Sequence, residues 1–585
     1  MSPMAMSRRE LLAMAATAAA ASAAHATRPG LAAGQARAEQ PRAGQPAADR
    51  ANQTVGFDEG EHVWNGLEGA GQREFPLNDP SITEIFGYTE WLSYAAGESV
   101  RLFTHTTAPS YDIEVIRDGL KPLKLWSATG QRGIRQQTPA DAYAVGCRWE
   151  DPVVIPTAAS WPSGFYLIIL RTRDQAGKLL EREAGFILRP PNGTRTQRLA
   201  LIWTSATATA YNDWGGANSY RTVSNGFSRS ILAPRLSLQR PWARGFLRLP
   251  KDAPRIADVP DLPPFAAPQY PYAEWALKNG YSRHYSDAGW AYYERPFVLW
   301  AEQNGYQFDY LSQHDLQLRP ECLKGYQGAV IVGHDEYWTW EMRDRIESFI
   351  RNGGRVARFA ANYIWQTRIE DGGRTQVSYK ATPDPISASN PRRTTTSWDS
   401  NLVNRPAAAT FGLSGLGGVY VRFGGTTPRA TGGYTVYRPG HWVFHGSDAH
   451  YGDLFGGAPS RIAAFEVDGV DYTFRGGLPY PTHVDGAPQS LEILAMAPAV
   501  RFEANLRPGS LLMAPRSDAP TKEHWPLFYP IENIEYGAAM MAVMTSGKGE
   551  VFNSGCCGWM EGLTRGDFVV QQITKNVLDR FGSES

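Results

Sequence analysis

The chain of 585 residues has no excess charge of either sign, 58 Lys and Arg standing against 58 Asp and Glu. That removes any electrostatic case for nucleic acid or an anionic membrane surface as a partner. Cysteine is scarce: Cys147, Cys322, Cys556 and Cys557 are all there is, with no C-x-x-C spacing. A disulfide scaffold and a zinc knuckle are both excluded. The neighbours Cys556 and Cys557 cannot readily form an unstrained bridge with each other, and all four read as small buried hydrophobes. Beyond the first 26 residues no apolar run approaches the ~18 residues that a membrane-spanning helix needs. There is no G-x-S-x-G, no H-E-x-x-H and no phosphate-cradling glycine loop behind a first strand. A serine hydrolase or a nucleotide enzyme is therefore unsupported.

What is present is the composition of an ordinary globular protein, 42% hydrophobic and 20% charged. Its length is enough for three or four domains. Aromatics reach 12%, with 18 Trp and 27 Tyr, which serve core packing or a pocket that encloses a small organic ligand.

The chain begins with Ser7-Arg8-Arg9-Glu10-Leu11-Leu12, an Ala-rich apolar run over 11–24, and Ala24-His25-Ala26. In that order these are a twin-arginine motif, its apolar region and a cleavage site. Residues 1–26 are expected to be a signal peptide, and the mature protein periplasmic or secreted. Residues 27–55, rich in Ala, Gly, Pro, Gln and Arg, read as a disordered linker, with a lead-in to 79. Short β-branched or aromatic runs at 99–105, 111–117, 153–155, 164–172 and 183–188 predict a β-sandwich over 80–190. From 197 to 365 strand and helix patterns alternate, predicting an α/β domain with a parallel sheet that 500–585 completes. In it, 204–220 reads as an irregular loop leaving a strand end, and 240–295 as a lid or pocket wall. Between 366 and 499 short strands and glycine turns predict a β-rich elaboration, and 567–581 is an amphipathic helix.

The richest stretch is 328–361, GAVIVGHDEYWTWEMRDRIESFIRNGGRVARFAA. An apolar strand, a polar turn, a helix and a second strand make one βαβ unit. Four reactive side chains, His334, Asp335, Glu336 and Tyr337, follow the first strand, where parallel sheets bind ligands. Tyr337 is either a packed strand-end residue or, as a phenolate, a ligand for a hard trivalent metal. In an extended turn the four point apart, so one or two face the pocket and the rest support the following helix. Asn362, Tyr363 and Trp365 follow the second strand. A further candidate is the run His441, His445 and His450 with Asp448 and Asp453, where a strand would put His441 and His445 on one face; it reads as structural histidines or as a zinc site.

The motifs GHDEYW at 333–338, YNDWGG at 211–216, GGYTVYRPGHWVF at 432–444, AFEVDG at 464–469 and GEVFNSG…NVLDRF at 549–581 resemble the large (beta) subunit of N,N-dimethylformamidase and its secreted relatives, from about residue 80 to the end. The resemblance implies an immunoglobulin-like domain followed by a glutamine-amidotransferase-like three-layer α/β domain. It also implies a mononuclear ferric iron held by two Tyr and one Glu, and hydrolysis of a simple amide to an amine and formate. Carried over, the metal ligands fall on Tyr337, Tyr363 and Glu466, and proton transfer on His334 or Glu336. The substrate pocket falls on Tyr211, Asn212, Trp214, Trp338, Asn362 and Trp365. The partners implied are a small-molecule substrate and either a small partner subunit or a second copy. Two other functions stay open: an enzyme acting on carbohydrate with the same scaffold, and an exported binding protein without catalysis.

Overall fold

The computed structural model describes residues 55–56, 73–191, 193–224, 227–229, 231–263, 269–380, 383–425, 428–500 and 536–583. The expected twin-arginine segment lies outside the described residues. So do most of the linker and lead-in over 27–79 and the part of the closing segment at 501–535.

The first described portion alternates apolar and polar residues and forms two sheets. Ile85–Thr89, Ser99–Thr106 and Val153–Pro156 make one. Ser93–Ala95, Leu179–Arg189, Gly164–Arg173, Ser110–Arg117 and Leu123–Arg132 make the other. Alternate side chains of both, such as Val100, Leu102, Ile113, Val115, Ile168 and Phe186, bury a common core. Leu123–Arg132 carries no apolar alternation and is mostly exposed, which is why its sequence gives no strand signal. This unit docks on the rest of the chain through aromatic contacts: Phe165 stacks on Trp290 at 4.2 Å, and Trp214 packs against Phe86 and Trp149.

The second portion is built on an eleven-stranded sheet. Asp309–Ser312, Leu199–Trp203, Gly328–His334, Arg355–Ala361 and Gly549–Asn553 run parallel in that order. Their near-continuous apolar runs suit strands covered on both faces. The sheet then turns antiparallel through Tyr536–Ser546, Glu492–Val500, Ser414–Tyr420 and Glu466–Gly469. The β-rich part of the chain thus continues the same sheet. The whole is a mixed α/β protein with far more strand than helix. No helix among the described residues is long and apolar enough to cross a membrane.

Two sequence expectations change. The segment at 204–220 contains a helix, Ser205–Tyr211, with all seven residues buried; close packing overrides the weak helix propensity of Ser and Thr. The run at 442–444 is a 3-10 turn in which His441 Nδ1 accepts the backbone N–H of Val443 at 3.3 Å. His441 and His445 are therefore not on one strand face, and His445 and His450 are exposed. Among the described residues no three metal-ligating groups converge in that region.

Candidate functional site

The carboxyl ends of the parallel strands meet at a buried polar centre. The strand Gly328–His334 reaches it through Gly333, which has φ +84° and whose added Cβ would lie 2.4 Å from Tyr293 Cβ and 2.5 Å from its ring. Only glycine satisfies both demands. Of the four residues of the turn, Asp335 faces away from the centre. Its carboxylate takes the Arg358 Nε–H at 2.8 Å, while Arg358 Nη1 donates to Asp468 at 2.6 Å. Asp468 also accepts the backbone N–H of Asn362 at 2.7 Å. This buried triad locks the two strand ends together. The following helix, Trp340–Arg351, is capped by Thr339 and not by the acids of the turn.

Glu336 and Tyr337 do face inward. The Tyr337 hydroxyl donates to Tyr220 Oη at 2.9 Å. The Tyr220 hydroxyl lies 2.7 Å from both oxygens of Glu336. Trp365 Nε1 donates to the same carboxylate at 2.6 Å. Burial, and after it the charge of Glu336, pushes both phenols well above their ordinary pKa, so they are neutral unless a cation joins them. The Lys380 ammonium stands 3.1 Å from the centroid of the Tyr220 ring, and Tyr211 stacks on that same ring at 4.4 Å.

His334 is the second half of the centre. Its Nδ1 donates to the carbonyl of Asp287 at 2.6 Å, which fixes the orientation of the ring. Its Nε2 lies 2.8 Å from Glu466 and 3.5 Å from Glu336. The contact with Glu466 is an ion pair in poor hydrogen-bond geometry, since Glu466 Oε2 otherwise has no partner. Burial opposes the imidazolium, but the carboxylates of Glu466 and Glu336 outweigh it and hold the pKa up at about 9. Asn362 Nδ2 sits 3.2 Å from the same nitrogen. His334, Glu466 and Cys557 also bring one ligand atom each within 4.8 Å of one another, a group able to hold a metal ion. Burial raises the Cys557 pKa well above the ordinary thiol value, so without a metal it stays a thiol.

Thus the structure gathers His334, Glu336, Tyr337, Glu466, Asn362, Trp365 and Tyr211 at one place. It does not bring Tyr363 there. Tyr363 packs against Trp338, Phe411 and Trp398. Burial, and then Arg343 and Glu347, set its pKa at about 12. The structure therefore does not place Tyr363 beside Tyr337 and Glu466: at Asn362, which has φ +66°, the chain leaves the strand, and Tyr363 turns into the aromatic layer of Trp338 and Phe411. Trp338 donates to the Asp335 carbonyl in that same aromatic layer. Asn212 ties the chain to Pro241 and Ala243, and Trp214 lies under the sandwich. Sequence reasoning missed Tyr220, Asp287, His284 and Lys380. His284 Nδ1 pairs with Asp287 Oδ2 at 2.7 Å, and its ring is 5.7 Å from that of Tyr211. All four sit in irregular segments where no periodicity marks them.

A family model described as N,N-dimethylformamidase beta subunit-like, C-terminal, matches residues 113–574. No curated protein matches the chain. Among solved structures, the soluble domain of PmoD from Methylocystis sp. ATCC 49242 (Rockwell) overlaps at 11% identity, covering 21% of this chain and 99% of that one, with a TM-score of 0.13. A chain from work on T cell specificity and activation by the bacterial superantigen toxic shock syndrome toxin-1 overlaps at 12% identity, covering 18% and 98%, also with a TM-score of 0.13. Overlaps that slight carry no argument about fold or function.

Proposed function

Because the chain belongs to the N,N-dimethylformamidase beta subunit-like family, we propose that it is a hydrolase of C–N bonds in small amides, working at the centre around Glu336 and His334. In this reading the sandwich at 85–189 is the immunoglobulin-like module. The central sheet is the amidotransferase-like one, with 366–499 as its elaboration. The twin-arginine segment directs export to the periplasm or beyond, and a small partner subunit or a second copy completes the assembly.

The observation that carries the reading is the contact of Tyr220, Tyr337 and Glu336: two phenols and one carboxylate, of which Tyr337 and Glu336 are buried and Tyr220 partly so. Hard oxygen donors of this kind fit a ferric ion. Tyr220 takes the place that the resemblance gave to Tyr363, and Glu336 the place it gave to Glu466. Tyr220, Tyr337 and Glu336 would hold such an ion, and the chemistry it would supply there is Lewis acidity toward the amide carbonyl and the water. The protein's own residues do the rest. Glu466 takes a proton from the attacking water, the His334 imidazolium gives its own Nε2 proton to the departing amine, and Glu466 returns a proton to that nitrogen. The Asp287 carbonyl keeps His334 Nε2 turned to that task. Trp365 and Tyr211 wall the pocket and keep bulk water out.

The test is one purified sample, folded in the cytoplasm, in which iron content and amine release from a panel of simple N-substituted amides are both measured. About one iron per chain is expected, with turnover of at least one amide that Glu466→Gln abolishes. A metal-free protein that turns over no amide ends the proposal.

A further inference from the structure

The turn after the helix Pro271–Asn279 holds a charge that the fold leaves unanswered. Arg283 is 8% exposed, and its Nε and Nη1 are buried without a hydrogen-bond partner. Other buried arginines are answered. Arg358 has Asp335, Asp468 and Asn553; Arg368 has Asp384; Arg240 has the carbonyls of Trp214 and Ala217. The carboxylates that act on Arg283 are those of Asp287 and Asp213, but among the described residues neither forms an ion pair with it, and Asp287 is committed to His284. A guanidinium buried without an acceptor carries a heavy desolvation penalty. The same turn also leaves Ser286 Oγ and His284 Nε2 buried and unpartnered. Beside it opens a cleft of about 410 Å³ lined in part by Arg73, Arg182, Arg244, Glu74, Asp213 and Ser282, in which Glu74 answers Arg182. The charge left unanswered is that of Arg283, the neighbour of Ser282.

We propose that Arg283 binds a carboxylate carried by the substrate, so that the enzyme acts on amides bearing an acid group away from the scissile bond. The unpartnered Nε–H and Nη1–H lie on different edges of the guanidinium, so each awaits its own acceptor oxygen, and a carboxylate can supply one. The position is adjacent to the centre: His284 follows in sequence, Asp287 joins it to His334, and His334 meets Glu466. A neutral amide would leave the buried charge as it stands. Assigning the anion to the substrate rests on the hydrolytic reading above; the binding of an anion does not.

The experiment uses the full chain in chloride-free buffer, with acetate and its neutral isostere acetamide as probes in calorimetric titration. Acetate is expected to bind and acetamide not. Acetate binding should weaken about tenfold in Arg283→Lys and vanish in Arg283→Met. The methionine variant replaces an uncompensated charge by an apolar chain, so it should melt no lower than the parent without ligand; if it fails to fold, the lysine variant decides. Acetate that fails to bind the parent, or binds Arg283→Lys as tightly as the parent, overturns the inference. A second arm compares kcat/KM for an amide bearing a free carboxylate with that for its methyl ester. A preference for the acid that Arg283→Lys erases supports the substrate assignment, and no preference overturns it. If acetate binds through Arg283 while no amide is turned over, the anion site stands and the hydrolase reading falls.

Discussion

The carbonyl oxygen of Asp287 accepts His334 Nδ1 at 2.6 Å, while the side chain of the same residue holds His284 Nδ1 at 2.7 Å. One residue thus orients both rings, leaving each Nε2 turned away from it. Asp287→Asn removes the carboxylate but keeps the carbonyl. Imidazole 15N spectra should therefore show a changed His284 and an unchanged His334, and amide turnover should fall about 10–100-fold. An unaltered His284 signal would contradict this arrangement.

Iron content separates the two candidate ligand groups. Tyr220→Phe is expected to lose the metal and any visible phenolate-to-iron absorption. Tyr363→Phe and Cys557→Ser should keep both, since Tyr363 lies in another aromatic layer and a thiol is a soft donor. Loss of metal in Cys557→Ser with retention in Tyr220→Phe would move the ion to the His334–Glu466–Cys557 group.

Stability should fall with rising pH through Glu294. Its carboxyl is buried; Oε1 accepts from Thr204, and Oε2 has no partner. Burial pushes its pKa from 4.5 up to about 7. The folded state therefore holds a proton that the unfolded state has released between those values. The contribution is complete below about 4.5 and is lost as pH rises through about 7, worth at most about 3 kcal/mol. Urea unfolding of Glu294→Gln at pH 5 and pH 8 should show a smaller drop than the parent.

Breaking the buried triad should cost far more than its net worth. Asp468→Ala leaves Arg358 its pair with Asp335 but removes the acceptor of its Nη1 and of the backbone N–H of Asn362. A loss of about 1–3 kcal/mol is expected in urea unfolding. Replacing Asp335, Arg358 and Asp468 together by apolar residues of similar size should cost less than this single change.

How much of this was legible depends on where each residue gets its partners. The strands at 99–106, 164–173 and 328–334 were readable because an apolar or alternating run reports burial directly. His334, Glu336 and Tyr337 were readable because they follow such a strand. The helix Ser205–Tyr211 was hidden, since its Ser, Thr and Ala residues are helical only in their packed surroundings. Tyr220 was hidden for a related reason: it meets Glu336 and Tyr337 across more than a hundred residues of chain. Tyr363 was named from its place after the second strand, but Asn362 at φ +66° turns the chain there and sends the ring into the aromatic layer.

The sheet that carries the centre pairs Arg355 with Glu550, bringing together strands about two hundred residues apart in sequence. Few of its parallel contacts are local, so loop closure must precede most of the stabilising burial. Such a topology folds slowly, and Glu466 and Cys557 join His334 only when its late-arriving strands have docked. Appearance of the metal or of anion binding during refolding should therefore lag behind the sandwich, making the centre a clock for the last stage of assembly.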